Sequence, residues 1–310
     1  MARRATLGAL VLTLTGQGAL AGELLLDQRA LLLDDSRLPR EAALDRLQQV
    51  RFAFRERQAQ EGEWPLWSRA YGIRGSWDGG LRRDGEGLVL GLDRPLGGQW
   101  MGGALASVAR ARLEVDDDHS DSDSAYLGLY AATRVYNQLG FKLGALHGWH
   151  ELERGERARS WQLFGESSFA LDFRDFTLEP FAGLAYVRLD APAQQARGLR
   201  LPGADEESGH LTLGWRLAAP WYAQGGKWVG RASLALRQDL GGDRLASRAW
   251  SEEGEALRVR GREFERASLR LDLSLDRELG ENAYLGLTYA GHYAEDARDN
   301  ALAARLSLKF

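Results

Sequence analysis

The chain has no cysteine in 310 residues, so no disulfide framework can hold it and its stability must come from another device. It also has no excess of basic charge. Lys+Arg number 40 against 44 Asp+Glu, a formal net charge of -4, and no basic stripe stands out of the kind that phosphate binding requires. No nucleic-acid partner is expected. Beyond the N-terminus there is no apolar run of about 18 residues, which excludes helical membrane spans. No Pro/Ser-rich linker divides the second half, so one architecture is expected to fill most of the length.

What is present is alternation. Leu302, Ala304, Leu306, Leu308 and Phe310 are apolar, with Arg305, Ser307 and Lys309 between them, the period of a strand with one oily and one wet face carried to the last residue. Elsewhere Leu88, Leu90 and Leu92 alternate with Gly91 and Asp93, Leu211 to Leu217 with Thr212 to Arg216, and Leu269 to Leu275 with Arg270 to Asp276. From residue 64 onward this pattern predicts strands over 64–77, 86–94, 99–113, 123–136, 139–151, 158–173, 176–189, 208–218, 227–239, 263–276, 283–294 and 300–310. A soluble sandwich would alternate in the same way, but the connections separate the two cases. Odd-numbered loops (78–85, 114–122, 152–157, 190–207, 240–262) read as long and polar, and even-numbered ones (95–98, 137–138, 174–175, 219–226, 277–282) as tight, with the short last loop at 295–299 the weak point. This is the asymmetry of an outer-membrane barrel, long loops outside and short turns in the periplasm. The expected fold class is all-β, a twelve-stranded antiparallel transmembrane β-barrel over residues 63–310. Its last strand must close on its first.

The N-terminus fits that compartment. Met1 to Arg4 is positive, Ala5 to Leu14 apolar, and Ala19-Leu20-Ala21 a small-x-small site before Gly22, so residues 1–21 read as a Sec signal peptide. Residues 22–39 form a short segment, a linker or vestigial cargo. Residues 40–62 read as a helix after Pro39, with Leu44, Leu47, Val50 and Phe54 along one stripe beside Ala43 and charged residues on the other faces. A helix over 40–60 extends roughly 30 Å, close to the thickness of a hydrocarbon core. Glycines at 91, 128, 144, 214 and 286 lie opposite the leucines or aromatics of their strands, on the expected inner face; strand glycine recurs where another backbone approaches closely. Gly91, Gly128, Gly144, Gly214 and Gly286 are therefore the candidate contacts of a helix in the lumen. The alternatives are that small residues ease the barrel's curvature, and that the helix lies in the periplasm.

Several short strings occur in one order: Trp67-Ser68-Arg69-Ala70-Tyr71-Gly72, Leu90-Gly91-Leu92-Asp93-Arg94-Pro95-Leu96, Tyr126-Leu127-Gly128-Leu129-Tyr130-Ala131, Leu178 to Tyr186, Leu213 to Ala218, and the strand ending in Phe310. Taken together, residues 64–310 resemble the C-terminal translocator domain of monomeric autotransporters. The resemblance implies a monomeric barrel in outer-membrane lipid and lipopolysaccharide, brought by periplasmic chaperones to the barrel-assembly machinery. That machinery would recognise Leu302, Leu306, Leu308 and Phe310. It also implies a pore helix leading to an exported segment, here expected to be very short. Some members cut within that helix at paired asparagines, and none lies between residues 22 and 60.

Catalytic readings fare less well. Asp34-Asp35-Ser36-Arg37 faintly resembles an esterase block without its glycine and leucine, and a nucleophile at Ser36 would need a positioned base. Asp116, Asp117, Asp118 and His119 form a charged run expected to be solvated. His147 and His150 are three apart and fall on opposite strand faces. Trp149, Tyr71 and Tyr293 fit interfacial aromatic belts. No enzyme activity, cofactor or metal is expected. The expected function is an outer-membrane translocator or anchor; a free-standing or plugged pore without a secretion role is the alternative, and a barrel hydrolase a more distant one.

Overall fold

The computed structural model describes residues 22–53 and 65–308 apart from 98, 117, 154, 197, 241–245, 252–253, 262–266 and 281–282. The signal-peptide reading, Phe54 and Phe310 lie outside the described residues. Helix α1 occupies residues 22–35 and α2 Arg37–Ala53. The strands follow as β1 (Leu66–Trp77), β2 (Leu81–Pro95), β3 (Trp100–Val115), β4 (Asp118–Val135), β5 (Leu139–Leu152), β6 (Arg157–Phe169), the short β7 (Leu171–Asp172), and β8 (Thr177–Ala191). Next come β9 (Gln194–Ala196), β10 (Leu199–Leu201), β11 (Ala204–Ala223), β12 (Gly226–Asp239), β13 (Ala246–Ser251), β14 (Ala256–Arg260), β15 (Ala267–Glu278), β16 (Ala283–Tyr293) and β17 (Ala297–Leu308).

Twelve long strands pair antiparallel in sequence order and close where β17 meets β1, from Leu66 opposite Leu308 to Trp77 opposite Ala297. Closure leaves no unpaired edge, the condition for a sheet to span lipid. The outward positions are Leu88, Leu90 and Leu92 on β2, Leu127 and Leu129 on β4, Leu213 and Trp215 on β11, and Leu302 and Leu306 on β17, all exposed. Their neighbours point into a packed lumen. No described helix is long and apolar enough to cross a membrane, which says nothing about strands.

At one end of the barrel the strands outrun the expected boundaries. Strand β1 ends at Trp77 and β2 begins at Leu81, β3 ends at Val115 and β4 begins at Asp118, and β5 ends at Leu152 and β6 begins at Arg157, so these connections, expected to be long, are short. Charges that end an apolar alternation do not end the ladder, because they pair across it: Arg74 with Asp84 (3.0 Å), Arg110 with Asp123 (2.8 Å), Arg112 with Asp121 (2.7 Å) and Arg188 with Asp205 (2.7 Å). Asp116 turns the β3–β4 hairpin with φ 51°. The two connections that are long, β8 to β11 and β12 to β15, pair with each other in a second sheet of order β14-β13-β10-β9, referred to below as the loop sheet.

Candidate functional site: the filled lumen

Residues 22–39, the segment read above as a linker or vestigial cargo, are helical from residue 22, and helix resumes at Arg37 after one break. Pro39 lacks the N–H that would bond to the carbonyl of Asp35, so a single continuous helix is interrupted just before it, and Pro39 fits the first turn of α2. Ser36 forms the hinge. Its hydroxyl donates to the Leu33 carbonyl (2.7 Å), and its own carbonyl accepts from Gln162 of β6 (2.7 Å), which leaves the hydroxyl engaged within the turn rather than facing a base.

Helix α1 sits in the mouth of the barrel. Leu24 and Leu31 pack on Leu81, Leu113 and Val115, the loop-end termini of β2 and β3, while Leu32 and Leu33 pack on Leu152, Val187 and Leu189. Leu26 is buried under the loop sheet against Leu199, Leu201, Ala249 and Val259. Arg29 fixes the base of the sheet, donating to Gln194 (2.9 Å) and to the carbonyls of Pro192 and Pro202 (both 2.8 Å). At Gly22 a side chain would meet Leu199 at 2.6 Å and Val259 at 3.0 Å, so the backbone passes directly beneath the sheet.

Helix α2 descends toward the end with tight turns. Ala42, Ala43 and Leu47 pack on Trp67, Tyr71, Val89, Leu105, Tyr130, Leu146 and Phe164, with Leu44 partly buried beside them. Val50 is half-buried. The small side chains at 42 and 43 let the helix lie close to the β1–β6 wall, and the polar residues on its flanks meet charges of opposite sign. Asp35 pairs with Arg83, Glu41 with Arg270 (2.8 Å), and Asp45 with Arg231 (2.5 Å), Arg305 and Arg69 (3.5 Å). Arg37 pairs with Asp299, and Arg46 donates to both carboxylate oxygens of Asp93 (2.7 and 2.9 Å). Gln48 donates to Glu179 (3.1 Å) and accepts from Lys142 (3.1 Å).

Buried pairs of this sort add little net stability, since desolvation offsets much of the attraction, yet removing one partner is expensive. They therefore act mainly on register: sliding α2 by one turn would break these pairs all at once. Between α2 and the wall from β6 to β16 remains a slot of about 100 Å³, lined by Arg40, Gln48, Glu166, His210, Arg231 and Thr288 among others. The lumen is plugged.

Two expectations about individual residues need correction. Gly91, Gly128, Gly144, Gly214 and Gly286 do lie in the wall, but the atoms nearest a Cβ built on them are those of neighbouring strands. They belong to Trp67 (2.3 Å), Leu146 (1.8 Å), Phe164 (2.3 Å), Ala235 with Phe181 (2.6 and 2.8 Å), and Asp276 with Arg305 (2.2 and 3.1 Å). The glycines admit large side chains folded across the ladder, which in turn meet the helix. Tyr71 is not a belt residue; it faces inward and is buried in the helix contact. Trp149 does face outward, 4.5 Å from the His147 ring, whereas His150 points inward between the hydroxyls of Ser124 and Ser160 (both 2.8 Å). His119 lies 3.8 Å from Glu153.

The glycine arrangement is testable at Gly91. Trp67 is buried, packed on Gly91 and held by donation of its indole N–H to Tyr130 (2.7 Å), so it has nowhere to turn. Gly91→Val is expected to lower the urea midpoint of the folded barrel by an amount equivalent to about 1–3 kcal/mol. Gly165→Ala, whose Cβ would meet only the Lys142 carbonyl at 3.6 Å, should leave it unchanged. Equal midpoints for Gly91→Val and the parent would refute the assignment.

The comparisons agree with this geometry. A family model described as autotransporter beta-domain matches residues 66–290. An extracellular serine protease of Serratia marcescens is 26% identical over 325 residues, a match covering 94% of this chain and 30% of that protein. The chain thus spans less than a third of the length of this curated relative. Among solved structures, the beta domain of the Bordetella autotransporter BrkA is similar at a TM-score of 0.64 and 18% identity, covering 80% of this chain and 99% of that one. The translocator domain of the autotransporter NalP from Neisseria meningitidis is similar at 0.68 and 14%, covering 90% and 98%.

Proposed function

Because the chain belongs to the autotransporter β-domain family, and so is an outer-membrane translocator barrel of a Gram-negative bacterium, we propose that it threads its own N-terminal segment, from Gly22 onward, into its lumen, displays the start of that segment at the cell surface and keeps the helix pair as a plug. The observation that supports this is the path of the helices. Helix α2 starts beside Asp299 and Arg83, runs to Arg46 beside Asp93 and Ser307 near the tight-turn end, and is preceded by α1 in the opposite mouth under the loop sheet. In the outer-membrane orientation the loop end faces the medium and the tight turns face the periplasm. Gly22 and the start of α1 then lie at the outer mouth of the barrel, beneath the loop sheet.

In this role the barrel supplies passage and anchorage and contributes no catalytic group. Protease activity is a property of the Serratia relatives, most of whose length lies outside this match. Insertion as a monomer would proceed through the barrel-assembly machinery and periplasmic chaperones, with lipopolysaccharide around the outer rim. The outward residues Leu302 and Leu306, with Leu308 and Phe310 at the closing end, are the proposed assembly signal.

The absence of native cysteine makes the orientation directly measurable. Single cysteines at Glu23 and at Glu255, in the β13–β14 turn, should react on intact cells with a polyethylene-glycol maleimide too large to cross the outer membrane. A cysteine at Gln99, in the β2–β3 turn, should react only after permeabilisation. The reverse pattern would overturn the proposed direction of export.

A further inference from the structure

The outer face of the loop sheet carries a charge pattern that neither the barrel nor the plug requires. Its inner residues Leu199, Leu201, Ala249 and Val259 are buried on α1, so strand alternation turns Arg200, Arg248, Trp250, Arg258 and Arg260 away from the helix. All are exposed. Arg248 stands directly opposite Arg258, and Arg200 directly opposite Trp250. Like charges facing each other across a ladder are destabilising. On the barrel strands outward arginines meet aspartates, as Arg74, Arg110, Arg112 and Arg188 do. Among the described residues, Arg200, Arg248, Arg258 and Arg260 have no such acid. Beside them lies an open groove of about 650 Å³ bordered by Gln195, Arg200, Trp250 and Ser251.

We propose that this face is a docking site for an acidic polysaccharide of the surrounding medium, a glycan bearing sulfate or carboxylate groups. Guanidinium forks bind such oxyanions in bidentate fashion, and an exposed indole offers a flat apolar surface to a sugar ring. The combination of several unpaired arginines with one aromatic plate matches that ligand. A single-stranded nucleic acid is bound on successive aromatic platforms, and this face presents Trp250 as its one aromatic among the described residues. The phosphates of the membrane's own lipopolysaccharide lie at the bilayer surface beside the barrel wall, whereas the loop sheet is built from connections beyond the strand ends and turns this face away from the lumen. The proposal rests on the loop end facing outward, which the Glu255→Cys labelling tests independently.

The experiment uses the folded barrel in detergent, immobilised heparin as the sulfated probe, and uncharged dextran as its control. Heparin is expected to bind and dextran not. In R248E/R258E, with folding verified by the heat-modifiable mobility of the intact barrel, affinity should fall by about tenfold or more as two charge-assisted contacts are lost. R248Q/R258Q should fall between the parent and the charge reversal. Arg110→Gln, on the barrel wall, should bind as the parent does. The proposal is overturned if R248E/R258E retains the parent affinity, if dextran binds equally, or if Arg110→Gln weakens binding as much. It is likewise overturned if a single-stranded oligonucleotide or purified lipopolysaccharide binds this face more tightly than heparin does.

Discussion

Asp93→Ala is expected to destabilise the folded barrel by about 3–5 kcal/mol, the usual result of removing one partner of a buried ion pair. Asp93 is buried in the wall, receives two hydrogen bonds from the fully buried Arg46, and accepts a third from the Tyr130 hydroxyl (3.0 Å). Tyr130 in turn accepts from the Trp67 indole. The alanine variant would take from the buried Arg46 guanidinium the carboxylate that receives two of its hydrogen bonds and would unpin two aromatic residues of the helix contact. The measurement is the urea dependence of tryptophan fluorescence in detergent, with heat-modifiable mobility as an independent readout. The double variant Asp93→Ala with Arg46→Met should recover much of the loss, because a buried pair replaced on both sides removes its desolvation cost along with its attraction. A single variant as stable as the parent, or a double variant worse than the sum of the singles, would show that the pair does not seat the helix.

Removing the plug should have the other large effect. A chain lacking residues 22–60 loses a helix about 10 Å in diameter from a lumen whose remaining slot is about 100 Å³. Single-channel conductance in planar bilayers should rise by roughly tenfold, as expected when a filled barrel becomes an aqueous one. The intact protein should conduct weakly at most. Unchanged conductance would mean that the described helices do not set the permeability of the lumen. Asp45→Ala is a milder form of the same test: it releases Arg231, Arg305 and Arg69 together, and brief openings should become more frequent without a new steady level.

The lipid-facing half of this protein is legible in its sequence because lipid is uniform. Every outward position within the lipid band faces the same hydrocarbon, so Leu269, Leu271, Leu273 and Leu275 repeat a single choice, and strand number and closure follow by inspection. The inward half is written pair by pair. Asp45 finds Arg305 at a separation of 260 residues and Arg46 finds Asp93 at 47, and no local period marks either match. The same limit hid α1, whose leucines at 24, 26, 31, 32 and 33 find their cover in the mouth of the barrel and the loop sheet rather than along one stripe. At the loop side the strands extend past the apolar alternation, where Arg110, Arg112, Asp121 and Asp123 look like loop when taken singly. They look like ladder only when taken as cross-strand pairs. The loop-sheet strands carried a signal in their alternation, Leu199 and Leu201 about Arg200, and Ala249 about Arg248 and Trp250, but it was too brief to distinguish from a loop.

The closing strand has a consequence for the order of assembly. Strand β17 not only completes the hoop against β1; it also supplies Asp299 to Arg37 and Arg305 to Asp45. The contacts farthest apart in the chain are thus shared between seam and plug, and such contacts form last in folding. In a hoop sealed around an empty bore, Asp299 would keep Arg83 and Arg305 would keep Asp276, but neither would have its helix partner, which a threaded helix supplies as the seam zips. Seam and plug thus share residues, so weakening either one is expected to loosen the other.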